Sequence, residues 1–281
     1  MELSFTKMHG LGNDFVVIDG VTQDIALSTA QIRALANRNF GVGCDQILLV
    51  EPPSAPDQDF KYRIFNASGD EVEQCGNGAR CFAKFVRDRK LTFKKSIRVE
   101  TNGGNIILHC QENGDVRVDM GAPNFSPADI PLQLLQKQAT PQAQQYTTQL
   151  EQQTVTFAAV SMGNPHAVIR VNDAATANVA ELGPQLSRHA CFPQQCNVGF
   201  MEIINPQQIR LRVYERGAGE TLACGTGACA AVVSGIEQGL LSSPVQVDLT
   251  AGSLQIAYDG GDNTVIMTGP ATAVFEGKII I

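Results

Sequence analysis

The sequence predicts a mixed α/β (α+β) protein made of two similar halves. Short apolar runs rich in β-branched residues, such as Phe15–Ile18 and Ile47–Val50, follow glycine-containing loops, which is typical of buried strands. Helical spacing appears elsewhere, most clearly at Phe82, Phe85 and Val86. A third observation, an internal repeat, divides the 281 residues into two parts of ordinary domain size.

The first predicted helix begins after Ser28, which can form a capping box with Gln31. Its apolar stripe runs through residues 32–36, and Gly41 is expected to end it. A strand at Tyr62–Asn66 then leads towards the helix that carries Phe82.

Glycine-punctuated strands are predicted at 97–101, 106–110 and 116–120. Residues 126–153 are rich in proline and glutamine and show little periodicity. We interpret them as the crossover between the halves with a surface excursion, and the glutamine-rich part near 131–153 receives no functional role.

Two segments, Cys75–Ala79 and Cys224–Ala228, share the pattern Cys-Gly-x-Gly-Ala. Each cysteine precedes the glycines that open a predicted helix, and a glutamate, Glu71 or Glu220, stands four residues earlier. The unpaired N–H groups in the first turn of a helix stabilise a thiolate or a bound carboxylate, and glycines let a ligand reach the backbone. Each segment therefore predicts a reactive site.

Other residues repeat in the same order. The intervals are 151 residues from Asn13 to Asn164 and from Gln46 to Asn197, 149 from Asn66 to Glu215 and from Cys75 to Cys224, and 148 from Gly104 to Gly252. This predicts an internal duplication with pseudo-symmetric halves, 1–123 completed by 270–281, and 124–269. Such halves normally pack about a pseudo-two-fold axis, so we expect an active-site cleft between them, with the cysteines approaching one ligand from opposite sides.

Composition narrows the class of partner. A net charge of −7 and a pI near 5.1 argue against nucleic acid or an anionic membrane and favour a small-molecule substrate. The start of the chain has no apolar signal region, so we expect a cytoplasmic protein. Its eight cysteines are expected to be reduced, and their spacing does not predict a metal site.

Two opposed thiols suit the inversion of a carbon centre. One thiolate removes a proton from one face and one thiol returns a proton to the other face. The α-proton of an amino acid is very weakly acidic, so two helix N-termini directed at the α-carboxylate would have to stabilise the developing carbanion. Racemisation without a cofactor is therefore feasible.

Several segments match one known family. They are Lys7–Phe15, Asp45-Gln46, Phe65–Ala67, Gln74–Cys81, Met162–Ala167 and Glu215–Gly227. Together they resemble the diaminopimelate epimerases. The resemblance implies a pyridoxal-phosphate-independent isomerase, with no cofactor, that interconverts LL- and meso-2,6-diaminopimelate in the route to lysine and peptidoglycan. It also implies that each half is a mostly antiparallel sheet wrapped around a central helix, and that the enzyme is a homodimer.

The resemblance also implies site residues. Cys75 and Cys224 match the two bases, with Cys224 as proton acceptor and Cys75 as donor in the LL-to-meso direction. His166 and Glu215 match residues that support proton transfer. The implied substrate contacts are Asn13, Gln46, Asn66, Gly76, Asn77, Asn164, Asn197, Glu215, Arg216, Gly225 and Thr226.

Departures from symmetry suggest how the substrate is selected. Arg216 stands where the first half has an alanine, so we hypothesise that it pairs bidentately with the distal carboxylate, while Glu215 meets the distal ammonium. Phe275 occupies a position where family members often have tyrosine at the dimer interface, so the expected dimer contact is altered.

Simpler interpretations remain open at this stage. The asparagines could be turn or capping residues, His166 a hydrogen-bonded loop residue, and Arg80 and Arg216 solvated charges. Three other functions are also open: a proline or hydroxyproline racemase, a redox protein that closes a Cys75–Cys224 disulfide, and a binding module that has lost its chemistry. A secondary amine without a distal charge has little use for Arg216, neither cysteine lies in a CxxC motif, and binding alone needs no thiols.

Overall fold

The computed structural model describes residues 2–72, 76–133 and 145–281. The elements of the first part of the chain are β1 (Glu2–Gly10), β2 (Asn13–Asp19), α1 (Thr29–Ala36), β3 (Gln46–Glu51), β4 (Phe60–Asn66), β5 (Glu71–Val72), α2 (Gly76–Asp88), β6 (Ser96–Thr101), β7 (Gly104–Cys110) and β8 (Val116–Asp119). The remainder contains β9 (Gln145–Gln149), β10 (Thr154–Ser161), β11 (Pro165–Arg170), α3 (Val179–Ser187), β12 (Asn197–Asn205), β13 (Gln208–Glu215), β14 (Gly219–Thr221), α4 (Gly225–Glu237), β15 (Val245–Leu249), β16 (Gly252–Ala257), β17 (Ile266–Gly269) and β18 (Thr272–Ile280).

These elements form two compact units. The first consists of Met1–Asp119 and Thr268–Ile281, and the second of Met120–Met267. Both combine mostly antiparallel sheet with a long and a short helix, so the α+β class predicted from the sequence is confirmed.

In the first unit, β1 lies between β2 and β18 and pairs antiparallel with both. Strands β2 and β3 are parallel, β3 and β4 antiparallel, and β4 and β6 parallel. Helix α2 contacts β1, β2, β3, β7, β8 and β18, which makes it the central helix of this unit. Its Phe82 is fully buried against the ring of Tyr62, at a centroid distance of 5.0 Å.

Both faces of this sheet are covered. Helix α1 buries Ile32 and Leu35 in a cluster that also contains Ile47 and Leu49 of β3, while Leu48 points to the face of α2. This explains why β3 reads as a continuous apolar run, since alternate residues enter two different cores.

The second unit repeats this order of elements. Strands β10 and β11 are antiparallel, β11 and β12 parallel, β12 and β13 antiparallel, and β13 and β15 parallel. Its central helix is α4, which contacts β10, β11, β12, β13, β15 and β16. Helix α3 packs outside, against β12 and β13.

The repeat extends to strand register. In the first unit Phe15 pairs with Gln46, and in the second His166 pairs with Asn197, each partner 151 residues further on. The ion pair between Arg63 and Glu71 recurs between Arg212 and Glu220, at an interval of 149 residues. The predicted duplication is thus confirmed, since the two units have the same strand pairing and the same ion pair. Both glutamates bind an arginine of the neighbouring strand and have a structural role.

Two local predictions need correction. The capping box of α1 is present, but the helix ends at Ala36, because the side chain of Asn37 accepts the N–H groups of Asn39 and Phe40 and turns the chain before Gly41. The segment 126–153 is not wholly irregular either, since β9 pairs antiparallel with β10 and buries Tyr146. Residues 134–144 of that segment lie outside the described residues.

No helix among the residues described is long and apolar enough to cross a membrane. Within the same residues, no group of three or more His, Cys, Asp or Glu side chains is placed to hold a metal ion.

Replacing Phe82 by alanine should lower the free energy of unfolding by about 3–5 kcal/mol, because it removes a fully buried ring and leaves a cavity beside α2. Urea denaturation followed by circular dichroism measures the loss. The control is Phe93→Ala, whose side chain is 79% exposed and whose replacement should cost less than about 0.5 kcal/mol. Similar losses in both variants would contradict the central position of α2.

Candidate active site

Strand direction brings the polar residues of the first unit together. Asn13 and Gln46 begin the parallel strands β2 and β3, and Asn66 ends β4, which is antiparallel to β3. All three therefore lie at one edge of the sheet. Gln46 Nε2 donates to Asn66 Oδ1 at 2.8 Å.

Helix α2 begins at this edge. Gly76 is its first residue, and Asn77 Nδ2 donates to Asn13 Oδ1 at 3.2 Å. Cys75, the predicted acid/base residue of this half, lies outside the described residues. The structure thus joins the predicted substrate contacts of the first half into two hydrogen-bonded pairs, Gln46 with Asn66 and Asn13 with Asn77.

The second unit builds the equivalent edge. Asn164 precedes β11, Asn197 begins β12 and Glu215 ends β13. Asn164 Nδ2 donates to Thr226 Oγ1 in the first turn of α4 at 3.4 Å, a contact equivalent to that of Asn77 with Asn13. The repeated contact places the predicted residues of this half around the start of α4.

Cys224 is the N-cap residue of α4 and is 4% exposed. Burial raises the pKa of its thiol well above the usual value, and the negative charge of Glu215 raises it further. A hydrogen bond from Thr226 and one from the backbone N–H of Gly227 oppose this effect. Although a helix N-terminus favours a thiolate, burial and Glu215 outweigh it here and favour the neutral thiol of Cys224.

The Glu215 carboxylate is itself held by a residue that sequence reasoning missed. Thr221 Oγ1 donates to Glu215 Oε1 at 2.5 Å. Thr221 lies on β14, which folds back on β13 and so returns the chain to Glu215 just before Cys224. The sequence carried no signal for this contact, because the first half has a valine, Val72, at the equivalent position.

His166 is 1% exposed, and burial together with the positive charge of Arg216 lowers its pKa to about 3. It is therefore neutral at pH 7. Its Nε2 lies 2.9 Å from Asn164 Oδ1, which can only accept, so the proton is assigned to Nε2. His166 is thus hydrogen-bonded, but it is a buried residue of strand β11 and not a loop residue.

Arg216 is exposed, but both its backbone and its guanidinium are held by hydrogen bonds. Its backbone N–H donates to Asn197 Oδ1 at 2.8 Å, and its Nη1 donates to the carbonyl oxygen of Gln194 at 3.0 Å. The second arginine considered as a solvated charge, Arg80, is fully buried, so that interpretation of Arg80 is wrong. The motif Gly-Ala-Arg-Cys offered no sign of its burial, because periodicity does not reveal what covers a helix on all sides.

Comparison with known proteins identifies the family of this chain. A family model described as diaminopimelate epimerase matches residues 5–126 and 158–274. A diaminopimelate epimerase from Pseudomonas aeruginosa is 56% identical over 279 residues, which cover 99% of each chain. One from Cupriavidus necator is 58% identical over 281 residues, covering 99% of this chain and 98% of the other.

Solved structures of more distant proteins share the fold. A phenazine biosynthesis protein of the PhzF family from Bacillus anthracis superposes with a TM-score of 0.69 at 16% identity over all of both chains. A hydroxyproline epimerase from Agrobacterium vitis has a TM-score of 0.66 at 13% identity, covering 99% of this chain and 92% of the other. At such identities the likeness shows the fold alone, whereas the extent of the family match and the identity to the curated relatives show that this chain belongs to the diaminopimelate epimerase family.

Proposed function

We propose that this chain is the isomerase that interconverts LL- and meso-2,6-diaminopimelate by two-base proton transfer between Cys75 and Cys224. The observation that carries the proposal is the buried thiol of Cys224 at the N-cap of α4, within a contact pattern that the first unit repeats. The route served is that to lysine and peptidoglycan precursors, which implies a cytoplasmic enzyme with a small-molecule substrate.

The proposed chemistry needs no cofactor. A thiolate on one side takes the α-proton and becomes a thiol, and the electron pair of the broken C–H bond stays on the α-carbon next to the carboxylate. The thiol on the other side then gives its proton to the opposite face and becomes a thiolate. The backbone N–H groups around Gly76-Asn77 and Gly225-Thr226 are proposed to stabilise the charge that develops on the carboxylate.

Glu215 and His166 have distinct proposed parts. The charge of Glu215 makes the thiolate of Cys224 a stronger base, since it raises the pKa of the thiol. His166 stays neutral and directs its Nε2–H to Asn164 Oδ1, which fixes the amide that reaches Thr226. Proton transfer at Cys224 is thereby supported by one charged and one neutral neighbour.

Arg216 is proposed to bind the distal carboxylate of the substrate. Its guanidinium is exposed and held by the Gln194 carbonyl, so it can present its remaining N–H groups to a carboxylate. Asn13, Gln46, Asn164 and Asn197 are proposed to contact the substrate near its reacting carbon, and Asn66 is a further proposed substrate contact. Glu215 is proposed to bind the distal ammonium.

A homodimer is proposed through β18. Val274 and Phe275 are 55% and 49% exposed on this strand, although both are large and apolar. The ring of Phe275 also packs edge to face against Phe5, at a centroid distance of 6.0 Å, so it is held in place for contact with a second copy.

Proton exchange in D₂O tests the reaction. Incubation with LL-diaminopimelate under reducing conditions, without pyridoxal phosphate, should introduce deuterium at the α-carbon, while L-proline should not exchange. Cys75→Ser and Cys224→Ser should each lose on the order of 10²–10⁴-fold of the inversion rate. Cys110→Ser, at a half-buried thiol of β7, is the control and should keep full activity. Exchange with neither amino acid, or normal inversion in either site variant, would refute the proposal.

Arg216→Ala should lower kcat/KM for diaminopimelate by about 10- to 100-fold, because a charge-assisted hydrogen bond to the distal carboxylate is lost. The matched control is Arg210→Ala on β13, the strand that directly precedes Arg216; the ion pair of Arg210 with Glu202 does not involve the site. Steady-state kinetics decide the matter, and a value of kcat/KM near wild type for Arg216→Ala would remove Arg216 from the substrate contacts.

Glu215→Gln should lower the pH at which Cys224 ionises, because it removes the charge that raises the pKa of the thiol. The measurement is the pH dependence of iodoacetamide labelling of Cys224, mapped by mass spectrometry on unliganded protein. In the wild type labelling should rise only at alkaline pH, and in the variant at lower pH. Glu220→Gln, whose carboxylate binds Arg212, should leave the profile in place; an unchanged profile in Glu215→Gln would contradict the electrostatic role.

A further inference from the structure

Arg80 is a buried charge that the proposed chemistry does not use. It lies in α2, is fully buried, and donates from Nε to the carbonyl oxygen of Pro270 at 3.1 Å and from Nη1 to that of Gly76 at 3.4 Å. Its Nη2 donates to Asn77 Oδ1 at 3.0 Å. A guanidinium has only donors, so the oxygen of the Asn77 amide must face Arg80.

The orientation of the Asn77 amide also determines that of the Asn13 amide. With its oxygen towards Arg80, the amide of Asn77 presents Nδ2 to Asn13 Oδ1, and Asn13 Nδ2 then donates to Asp45 Oδ2 at 2.9 Å. The carboxylate of Asp45 is an acceptor and also binds Arg38 at 2.7 Å. Two amides therefore lie between a group that can only donate and a group that can only accept, and both ends require the same orientation.

The second unit offers an internal comparison. The residues equivalent to Asn77 and Arg80 are Thr226 and Cys229, each 149 positions further on. The hydroxyl of Thr226 accepts from Asn164 Nδ2 and can turn to suit its partners, so it needs no external donor to orient it. The amide of Asn77, in contrast, could present either its oxygen or its nitrogen to an anion, so it needs an external donor to orient it.

Close packing keeps Arg80 in this place. A Cβ atom at Gly10 would lie 3.1 Å from Arg80 Nη2 and 3.3 Å from Asn77 Cβ. The glycine therefore allows β1 to pass directly beside the contact of the guanidinium with the amide. This contact is built into the crossing of β1 and α2 and is not an incidental contact at the surface.

We infer that Arg80 is a positioning residue for the first half-site, which orients the amides of Asn77 and Asn13 so that their N–H groups, and not the oxygen of Asn77, serve the substrate carboxylate. This inference rests on the proposed function, in which both asparagines contact diaminopimelate. Without Arg80 the Asn77 amide is oriented from the Asp45 end alone, through Asn13, and wherever it reverses its oxygen repels the carboxylate.

A double-variant cycle tests the coupling. Arg80→Met should raise KM for diaminopimelate about 10- to 100-fold and change kcat less than about 3-fold, since the orientation of the amide serves binding in ground and transition states alike. In the Asn77→Thr background, which imitates Thr226, the same change should cost less than about 3-fold in kcat/KM. Arg87→Met is the matched control, because Arg87 also binds backbone carbonyls from α2 but far from the asparagines. An equal loss from Arg80→Met in both backgrounds would show a merely structural role and overturn the inference.

A second readout does not depend on turnover. In protein labelled with ¹⁵N-asparagine, the side-chain amide signal of Asn13, which Arg80 reaches through Asn77 in this chain of hydrogen bonds, should shift in Arg80→Met and stay unchanged in Arg87→Met. If the wild type fails to exchange diaminopimelate but this signal shifts, the proposed function fails and the positioning role stands; an unchanged Asn13 signal overturns the positioning role. If Arg80→Met does not fold, Arg80→Lys replaces it, because a single ammonium cannot hold Asn77 and Pro270 together and the same signal should still move.

Discussion

In both units, the arrangement of the candidate site depends on a central helix whose N-terminus is buried within the sheet. Helices α2 and α4 are enclosed by strands along most of their length, so the unpaired N–H groups of their first turns open towards one edge of the sheet. The same edge collects the strand ends that carry Asn13, Gln46 and Asn66 in one unit, and Asn164, Asn197 and Glu215 in the other. Under the proposed function this edge binds the substrate carboxylate, because amide N–H groups and a helix dipole converge there.

Burial also determines the acid/base properties of the second unit. The same enclosure that removes water from Cys224 keeps it protonated, and it keeps His166 neutral. Glu215 adds a negative charge next to a thiol at a helix N-terminus, which works against the helix dipole. The thiol of Cys224 is therefore a weak acid, and its thiolate is a correspondingly strong base. That property suits the removal of a weakly acidic α-proton.

The two units repeat their geometry but not their charges. The contact of Asn13 with Asn77 recurs as that of Asn164 with Thr226, yet only the first has a buried guanidinium behind it. Arg216 and Glu215 have neutral counterparts in the first unit. In the proposed function, the repeated contacts serve the inverting carbon, and the unequal charges select the rest of the substrate.

The sequence by itself determined the α+β class, the internal duplication with its equivalent residues in the two halves, and the family. Apolar periodicity and spaced motifs are properties of the chain alone. It also located the capping box at Ser28. Only the tertiary structure decided that Arg80 is buried, that Thr221 holds Glu215, that β9 joins the second sheet and that α1 ends at Ala36. These features depend on contacts between residues that are distant in sequence. Neither periodicity nor a motif identifies the partner that a side chain contacts in the folded protein.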